Sequence, residues 1–359
     1  MDYLYSKDDL RSAVAAGLLT EAQAAGVIAH GDARAGLRVN MARDDEPFEL
    51  FRGFADIFIS VGLVLLLSGI LGFARVVTDS VFVPVFAAGL CWLFARYFTL
   101  KRRMTLPSIV LVTGFGISAA LVAASIWAIA VGNVDGPVAA LVVGGLTMAA
   151  LLAYYQVFKV PFTLFLVGIA GLAVVLVVTN SIVPDRVMAD GFGSFLDLRQ
   201  GSGLAIGMLF FGVCAFLAGM WFDMHDPHRL GRWSASGFWL HMLAAPALVN
   251  TIVLTLYNFG GTTGYVLTAL ALLFIAALAL VIDRRSFLTA GIGYLGLLIA
   301  WAVGRGEGGA SPILILLMLG GTITALGTWW VPLRAVAMRA LPDFPGKARL
   351  PPYGDRTPI

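Results

Sequence analysis

The stretch Gly237-Phe-Trp-Leu-His-Met-Leu-Ala-Ala-Pro-Ala-Leu-Val-Asn250 decides how the chain is interpreted. It is apolar enough to cross a lipid bilayer, yet it contains His241, Pro246 and Asn250. Ionisable side chains inside a membrane are costly and are often tied to function. Proline removes a backbone N–H and bends a helix unless neighbours satisfy the carbonyl it frees. We therefore predict a kinked membrane-spanning helix whose three polar or irregular positions are candidates for a ligand site or cavity.

Two interpretations of this helix stay open. Asn250 follows Pro246 by four residues, which places both on one face, whereas His241 lies nine residues before Asn250 and faces the opposite side. A functional interpretation places a polar cavity on one side of the kinked helix. A structural interpretation makes His241 a hydrogen-bonded core residue and the proline a packing kink.

The segment just before this helix, residues 223–233, is the most polar short run after the N-terminal region. Four of its residues are of metal-ligand type: Asp223, His225, Asp226 and His228. A metal site usually collects its ligands from separate elements, and Pro227 opposes a regular helix here. We therefore predict a solvated cytoplasmic polar loop and no metal site.

Composition places the whole chain in the membrane class. Of its 359 residues, 59% are hydrophobic and 13% are charged, whereas soluble domains carry about 25% charged residues. The net charge of +3 does not indicate a nucleic-acid partner. Cys91 and Cys214 both lie within apolar runs, so no disulfide framework is expected. No phosphate-binding loop, metalloprotease motif or serine–histidine pattern is recognisable, so we predict no catalytic residues and no cofactor, and an enzyme is not favoured.

Apolar runs of about 20 residues predict membrane-spanning helices. The expected fold is therefore all-α, a polytopic transmembrane bundle of about ten spans. These run roughly over 54–74, 81–98, 107–131, 137–156, 160–183, 203–223, 234–257, 262–282, 286–303 and 311–332. With both termini in the cytoplasm, 20 of the 24 Lys and Arg residues fall on cytoplasmic segments, which is the positive-inside bias expected of a correct topology.

Three domains are predicted. Residues 1–46 form a small cytoplasmic two-helix hairpin and linker, because capping boxes begin at Ser6 and Thr20 and Gly17 ends the first helix. Residues 47–333 form the transmembrane bundle, and residues 334–359 a Pro-rich basic cytoplasmic tail. Helices as short as those of the hairpin are not stable alone, so we expect them to pack on a second subunit, on another membrane partner or on the bundle.

Three motifs carry a resemblance to a known family. They are Gly17-Leu-Leu-Thr-Glu-Ala-Gln23 before a polytopic domain, Asp226-Pro227 followed by Phe238-Trp-Leu-His-Met-Leu-Ala-Ala-Pro246, and the proline-containing ending from Pro332 to Pro352. With them the chain resembles the bacterial inner-membrane proteins of the domain of unknown function 2157 family. The resemblance implies a multi-pass protein of the bacterial inner membrane and no assigned activity. Asn250 departs from the histidine common at that position in the family.

Two function classes remain after these observations. The first is a transporter-like or ligand-binding bundle with a polar cavity beside the kinked seventh span, containing His241 or Asn250. The second is a membrane scaffold or regulatory subunit that acts through its N-terminal hairpin and its tail. A hydrated polar cavity would favour the first class. A tightly packed bundle with a stable partner would favour the second.

Overall fold

The computed structural model describes residues 12–14, 16–18, 23, 54–77, 82–132, 136–182, 196–226, 232–303, 311–351 and 353. All regular structure in these residues is helical. The α-helices are α1 (Phe54–Val77), α2 (Phe82–Ala95), α3 (Thr105–Val131), α4 (Pro137–Phe158), α5 (Phe162–Ile182), α6 (Gly203–His225), α7 (Arg232–Tyr257), α8 (Gly261–Ile282), α9 (Ser286–Val303), α10 (Ser311–Thr328) and α11 (Trp330–Ala340). A π-helical turn, Arg96–Lys101, extends α2, and short 3-10 turns lie at Leu198–Gln200 and Lys347–Arg349.

The expected all-α membrane bundle is confirmed in its coarse form. Among the described residues, eight helices are long and apolar enough to cross a bilayer, and they correspond to α1–α8, with α2 extended by its π-helical turn. Helices α9 and α10 coincide with the ninth and tenth predicted spans, but each has 18 residues and neither is among those eight. The count of ten spans therefore stays a prediction.

Helix ends follow local backbone chemistry at several turns. Ser202 caps α6, since its side chain accepts a hydrogen bond from the backbone N–H of Ala205 at 3.2 Å. Gly132 closes α3 in the left-handed conformation, with φ of 81°. Lys159 and Asp283 close α4 and α8 with φ of 52° and 56°, which is less common for residues with a side chain. Both tight turns lead directly into the next helix.

Two apolar clusters hold the helices together. The first joins α1, α2, α3 and α4 and contains four aromatic rings linked by ring–ring contacts: Trp92, Phe115, Tyr154 and Phe158. The second joins α6, α7, α8 and α9 with Trp330 of α11. Helix α7 is central to this second cluster, because it contacts α5, α6, α8 and α9. Large apolar side chains on the outer faces of the helices, such as Phe58 and Phe274, are exposed, as contact with lipid requires.

Helices α6 and α7 approach closely along small residues. The buried face of α6 carries Gly207, Gly212 and Gly219, and that of α7 carries Gly237 and several alanines. A Cβ atom added to Gly212 would lie 2.8 Å from the Cγ and Cδ2 atoms of Leu248. Without a hydrophobic force between helices in lipid, such close contact is a main source of association.

The two ends of the chain test the predicted domains only in part. The packing of Cα atoms divides the chain into Met1–Pro47 and Phe48–Ile359. In the first unit Gly17 has φ of 73° after the helical residues 12–14, as expected of a helix stop. The rest of the predicted hairpin and linker lies outside the described residues. The tail begins inside α11, and residues 341–351 follow it as a described segment.

The close approach of α6 and α7 predicts opposite effects of alanine at two helical glycines. Gly212→Ala should lower the free energy of unfolding by about 1–3 kcal/mol, because the new methyl group meets Leu248. Gly145→Ala is the matched control, since no atom lies within 4 Å of its added Cβ. It should be neutral or stabilising by up to about 1 kcal/mol through helix propensity. Denaturant unfolding in detergent measures both, and equal effects would contradict the assigned interface.

Candidate functional site

A buried aspartate, histidine and arginine meet where α6, α7 and the turn after α8 come together. The Nε2 atom of His241 lies 3.0 Å from Oδ2 of Asp223. The Nε of Arg284 donates to the same oxygen at 2.9 Å, and its Nη2 donates to Oδ1. Because a carboxylate only accepts hydrogen bonds, the proton of the His241 contact lies on Nε2. Asp223 thus receives a two-pronged arginine contact and an imidazole contact together.

Each side chain reaches the site from a different element. Asp223 lies in the last turn of α6, His241 nine residues into α7, and Arg284 in the three-residue connection between α8 and α9. Nη2 of Arg284 also donates to the backbone carbonyl of Ser234 at 2.9 Å, near the start of α7. The three residues therefore tie two helices and one turn to a single point.

Glycine and aromatic residues form the walls of this site. An added Cβ on Gly237 would lie 2.3 Å from Oδ1 of Asp223, and one on Gly219 would lie 2.9 Å from Nε2 and Cε1 of His241. The rings of Phe216 and Phe287 lie edge-on to the imidazole, with centroids 5.6 and 5.8 Å away. Only glycine at these two helical positions leaves room for the polar side chains.

Burial makes the pairing of charges necessary. His241 is 0% exposed, Asp223 3% and Arg284 7%. An unpaired charge in such surroundings is strongly destabilising, whereas a paired and hydrogen-bonded one is tolerated. The carboxylate and guanidinium neutralise each other. The geometry is that of a closed polar core.

The candidates of the central stretch occupy different surroundings. His241 belongs to the buried cluster, whereas Pro246 and Asn250 lie half-buried further along the same helix. Helix α7 is continuous through Pro246. The structure therefore brings His241 together with Asp223 and does not bring it together with Asn250, in line with the separation expected from the helical period.

The four residues of the predicted polar loop also separate. For Asp223 the loop assignment is wrong, because the residue lies in α6 and is buried. His225 ends the same helix with an exposed ring that stacks on Trp233. Asp226 is half-buried, and one of its carboxylate oxygens lies 3.4 Å from the backbone N–H of Ser234. His228 lies outside the described residues. Among those described, no three His, Cys, Asp or Glu side chains are grouped so as to hold a metal ion.

The turn that supplies Arg284 also holds the C-terminal helix. Nε1 of Trp330 donates to Oδ1 of Asp283 at 2.6 Å, and Nε of Arg334 lies 3.8 Å from the same oxygen. Nη2 of Arg334 donates to the carbonyl of Pro351 at 2.6 Å. Burial lowers the pKa of the Arg334 guanidinium, while Asp283 and Tyr353 act in the opposite direction. The packed face of α11 is thus Trp330, Arg334 and Met338.

A second polar cluster fixes the loop before α6 to the far end of α7. Asp197 is buried and accepts hydrogen bonds from the backbone N–H of Arg199 at 2.9 Å and from Nδ2 of Asn258 at 3.0 Å. The hydroxyl of Thr255 accepts from the backbone N–H of Leu198 at 3.0 Å. This loop-to-helix contact lies at the opposite end of α7 from His241.

Arg284 is the site residue that the sequence analysis missed. It entered that analysis only as one of the positive charges counted on cytoplasmic segments. One signal pointed toward Asp223. It continues the four-residue spacing of Gly207, Phe211, Ala215 and Gly219 on α6, so it lies on the packed face of that helix. Nothing in the sequence links that face to a residue 61 positions later.

The chain matches no known protein-family model, no curated protein and no solved structure. Its class therefore rests on the fold and the site. Eight long apolar helices with outward-facing apolar side chains form a bundle compatible with a multi-pass integral membrane protein. The site within this bundle is a buried Asp–His–Arg cluster where α6, α7 and the turn after α8 meet.

Removing both members of the buried charge pair should cost less stability than the two single removals added together. Asp223→Ala leaves the Arg284 guanidinium buried without its carboxylate, and we expect a loss of about 3–5 kcal/mol in the free energy of unfolding. Combining it with Arg284→Met should lose less than the sum of the single variants, since both charges are then absent.

Asp343→Ala is the matched control, because it removes an exposed carboxylate and should leave stability nearly unchanged. Unfolding in detergent by heat or denaturant measures the full cycle. Strict additivity of Asp223→Ala and Arg284→Met would mean that the two side chains do not act as a pair.

Proposed function

We propose that this chain is a membrane-embedded scaffold or regulatory subunit, in which the Asp223–His241–Arg284 cluster fixes one arrangement of helices. The observation that supports the proposal is the closure of the cluster. Asp223 is fully engaged by its two partners, and His241 is covered by glycine backbone and two phenylalanine rings. Such a site stabilises a rigid platform better than it binds a solute.

Two grooves formed by described residues lie away from α7. Both have mainly apolar walls, and one lies among α1, α2 and α3 and the other among α8, α9 and α10. Neither is lined by a residue of α7. A transport path needs polar lining in contact with water, and transporter sites typically lie near the membrane midplane. The transporter-like alternative, with a polar cavity beside His241 or Asn250, therefore remains the second candidate.

Several finer assignments belong with this proposal. Membership of the domain of unknown function 2157 family rests on the three motifs named above. A bacterial inner-membrane location and two cytoplasmic termini rest on that resemblance and on the distribution of Lys and Arg. A partner or second copy would contact the N-terminal hairpin or the basic face of the tail, where Arg339 and Arg349 are exposed.

Thiol labelling separates the two candidate functions. In a chain without Cys91 and Cys214, cysteines replace Pro246 and Asn250 and are treated in intact membranes with an impermeant maleimide. We expect neither position to react, because a packed helix admits no water. Gln200→Cys and Arg102→Cys are the positive controls, since both positions are exposed. Three helices separate them along the chain, so we expect each to react from a different side of the membrane. Reaction at Asn250→Cys from one side alone would contradict the scaffold proposal and indicate a water-filled path.

The scaffold role also predicts a partner that depends on the tail. After crosslinking in native membranes, we expect the chain to recover a recurrent partner protein, quantified by mass spectrometry. Arg339→Glu with Arg349→Glu should reduce that recovery at least several-fold, because both charges face outward from the tail. Arg102→Glu is the control at a different turn of the bundle. Equal recovery from all variants, or no recurrent partner at all, would contradict a scaffold acting through this face.

A further inference from the structure

A groove of about 460 Å³ lies among α8, α9 and α10, with the beginning of α11 at one end. Its walls are mainly aliphatic, with Leu272, Leu295 and Leu326 among them. Arg285 lines it beside Trp330. The volume falls in the range of about 300–1,000 Å³ found for small-molecule sites. A site with long apolar walls and one cation is suited to an amphiphile.

The groove and the turn beyond it extend over the depth of one leaflet of a bilayer. The lining on α8 runs from Ala269 to Ala276, and α8 ends at Ile282. At 1.5 Å per residue, Ala269 lies about 20 Å from the end of the helix, and one leaflet is half of a hydrocarbon core about 30 Å thick. The cation stands just beyond the helix end, in the turn before α9. The groove therefore offers an apolar channel for an acyl chain and a charged position at headgroup depth.

Arg285 is placed to contact an anion. Its side chain is exposed, and its guanidinium lies 5.2 Å from the centroid of the Trp330 ring. No carboxylate pairs with it among the described residues, whereas the neighbouring Asp283 is engaged by Trp330 and lies near Arg334. A guanidinium held against an aromatic face keeps its N–H edge free for the oxygens of a phosphate group.

The second groove provides a comparison within the same molecule. It measures about 570 Å³ and lies among α1, α2 and α3, with lining residues such as Leu67, Val83 and Leu121. No charged residue belongs to its lining. Both grooves suit an acyl chain, but only the groove at Arg285 can select a headgroup by charge.

We propose that the groove among α8, α9 and α10 binds one anionic phospholipid, with an acyl chain along its aliphatic walls and the phosphate on Arg285. Basic pockets between membrane helices are known to take acidic headgroups. This inference goes beyond the scaffold function and does not depend on it, because the groove shares neither Asp223 nor His241.

Competitive lipid binding tests the site. The full chain is purified, stripped of lipid and equilibrated with equal amounts of phosphatidylglycerol and phosphatidylcholine, and bound lipid is counted by native mass spectrometry. We expect the chain to retain phosphatidylglycerol preferentially. Arg285→Gln should lower the ratio of the two bound lipids about fivefold, the factor expected for one cation near a membrane surface. Arg102→Gln, which removes an exposed cation outside the groove, should leave the ratio unchanged.

A pair of neighbouring alanines tests the apolar part. Ala276 lines the groove and Ala277, the next residue, is exposed and does not. Ala276→Phe should fill the groove and reduce retention of both lipids at least several-fold, whereas Ala277→Phe should match the unmodified chain.

Two results would overturn the proposal. One is an unchanged lipid ratio in Arg285→Gln, which stands as a test even if Ala276→Phe fails to fold. The other is a change of oligomeric state in Ala276→Phe with lipid retention unaffected, which would assign the groove to a second copy of the chain.

Discussion

The salt bridge between Asp223 and Arg284 is the contact on which the arrangement of α6 to α9 depends. Both charges are buried, so neither can stay without the other. Their meeting requires that α6 and α7 pack at glycine distance, because a methyl group on Gly219 or Gly237 would occupy the space of His241 or Asp223. Close helix packing and charge pairing therefore depend on each other, and both require the glycines as well as the ionic residues.

Three consecutive residues between α8 and α9 connect the salt bridge to the neighbouring helices. Asp283 holds α11 through Trp330, Arg284 holds α6 and α7, and Arg285 stacks on the Trp330 ring. The left-handed conformation of Asp283 makes the turn tight enough for neighbouring side chains to point in different directions. The C-terminal helix and the buried cluster are thus connected through a single peptide bond.

The sequence was informative about spans and much less so about contacts between them. Eight of the predicted spans return as helices α1 to α8 because apolar length alone determines them. His241 stood out, since an imidazole in an apolar run needs partners. Its partners could not be named, because Asp223 adjoins a polar run and Arg284 adjoins a helix end, where charges are ordinary. The packed face of α11 likewise carries a buried arginine, Arg334, which an apolar pattern does not predict.

A membrane explains why the second half of the chain keeps charges in its core. Lipid tails are as apolar as leucine, so an apolar helix face gains little by choosing a protein neighbour over lipid. In the first half of the chain, the helices are held together by contacts among the rings of Trp92, Phe115 and Tyr154. The second half uses directional hydrogen bonds and a salt bridge, which link α6, α7 and the turn after α8. Because moving α6 away from the turn after α8 would separate the two buried charges, the cluster favours one fixed arrangement of these elements.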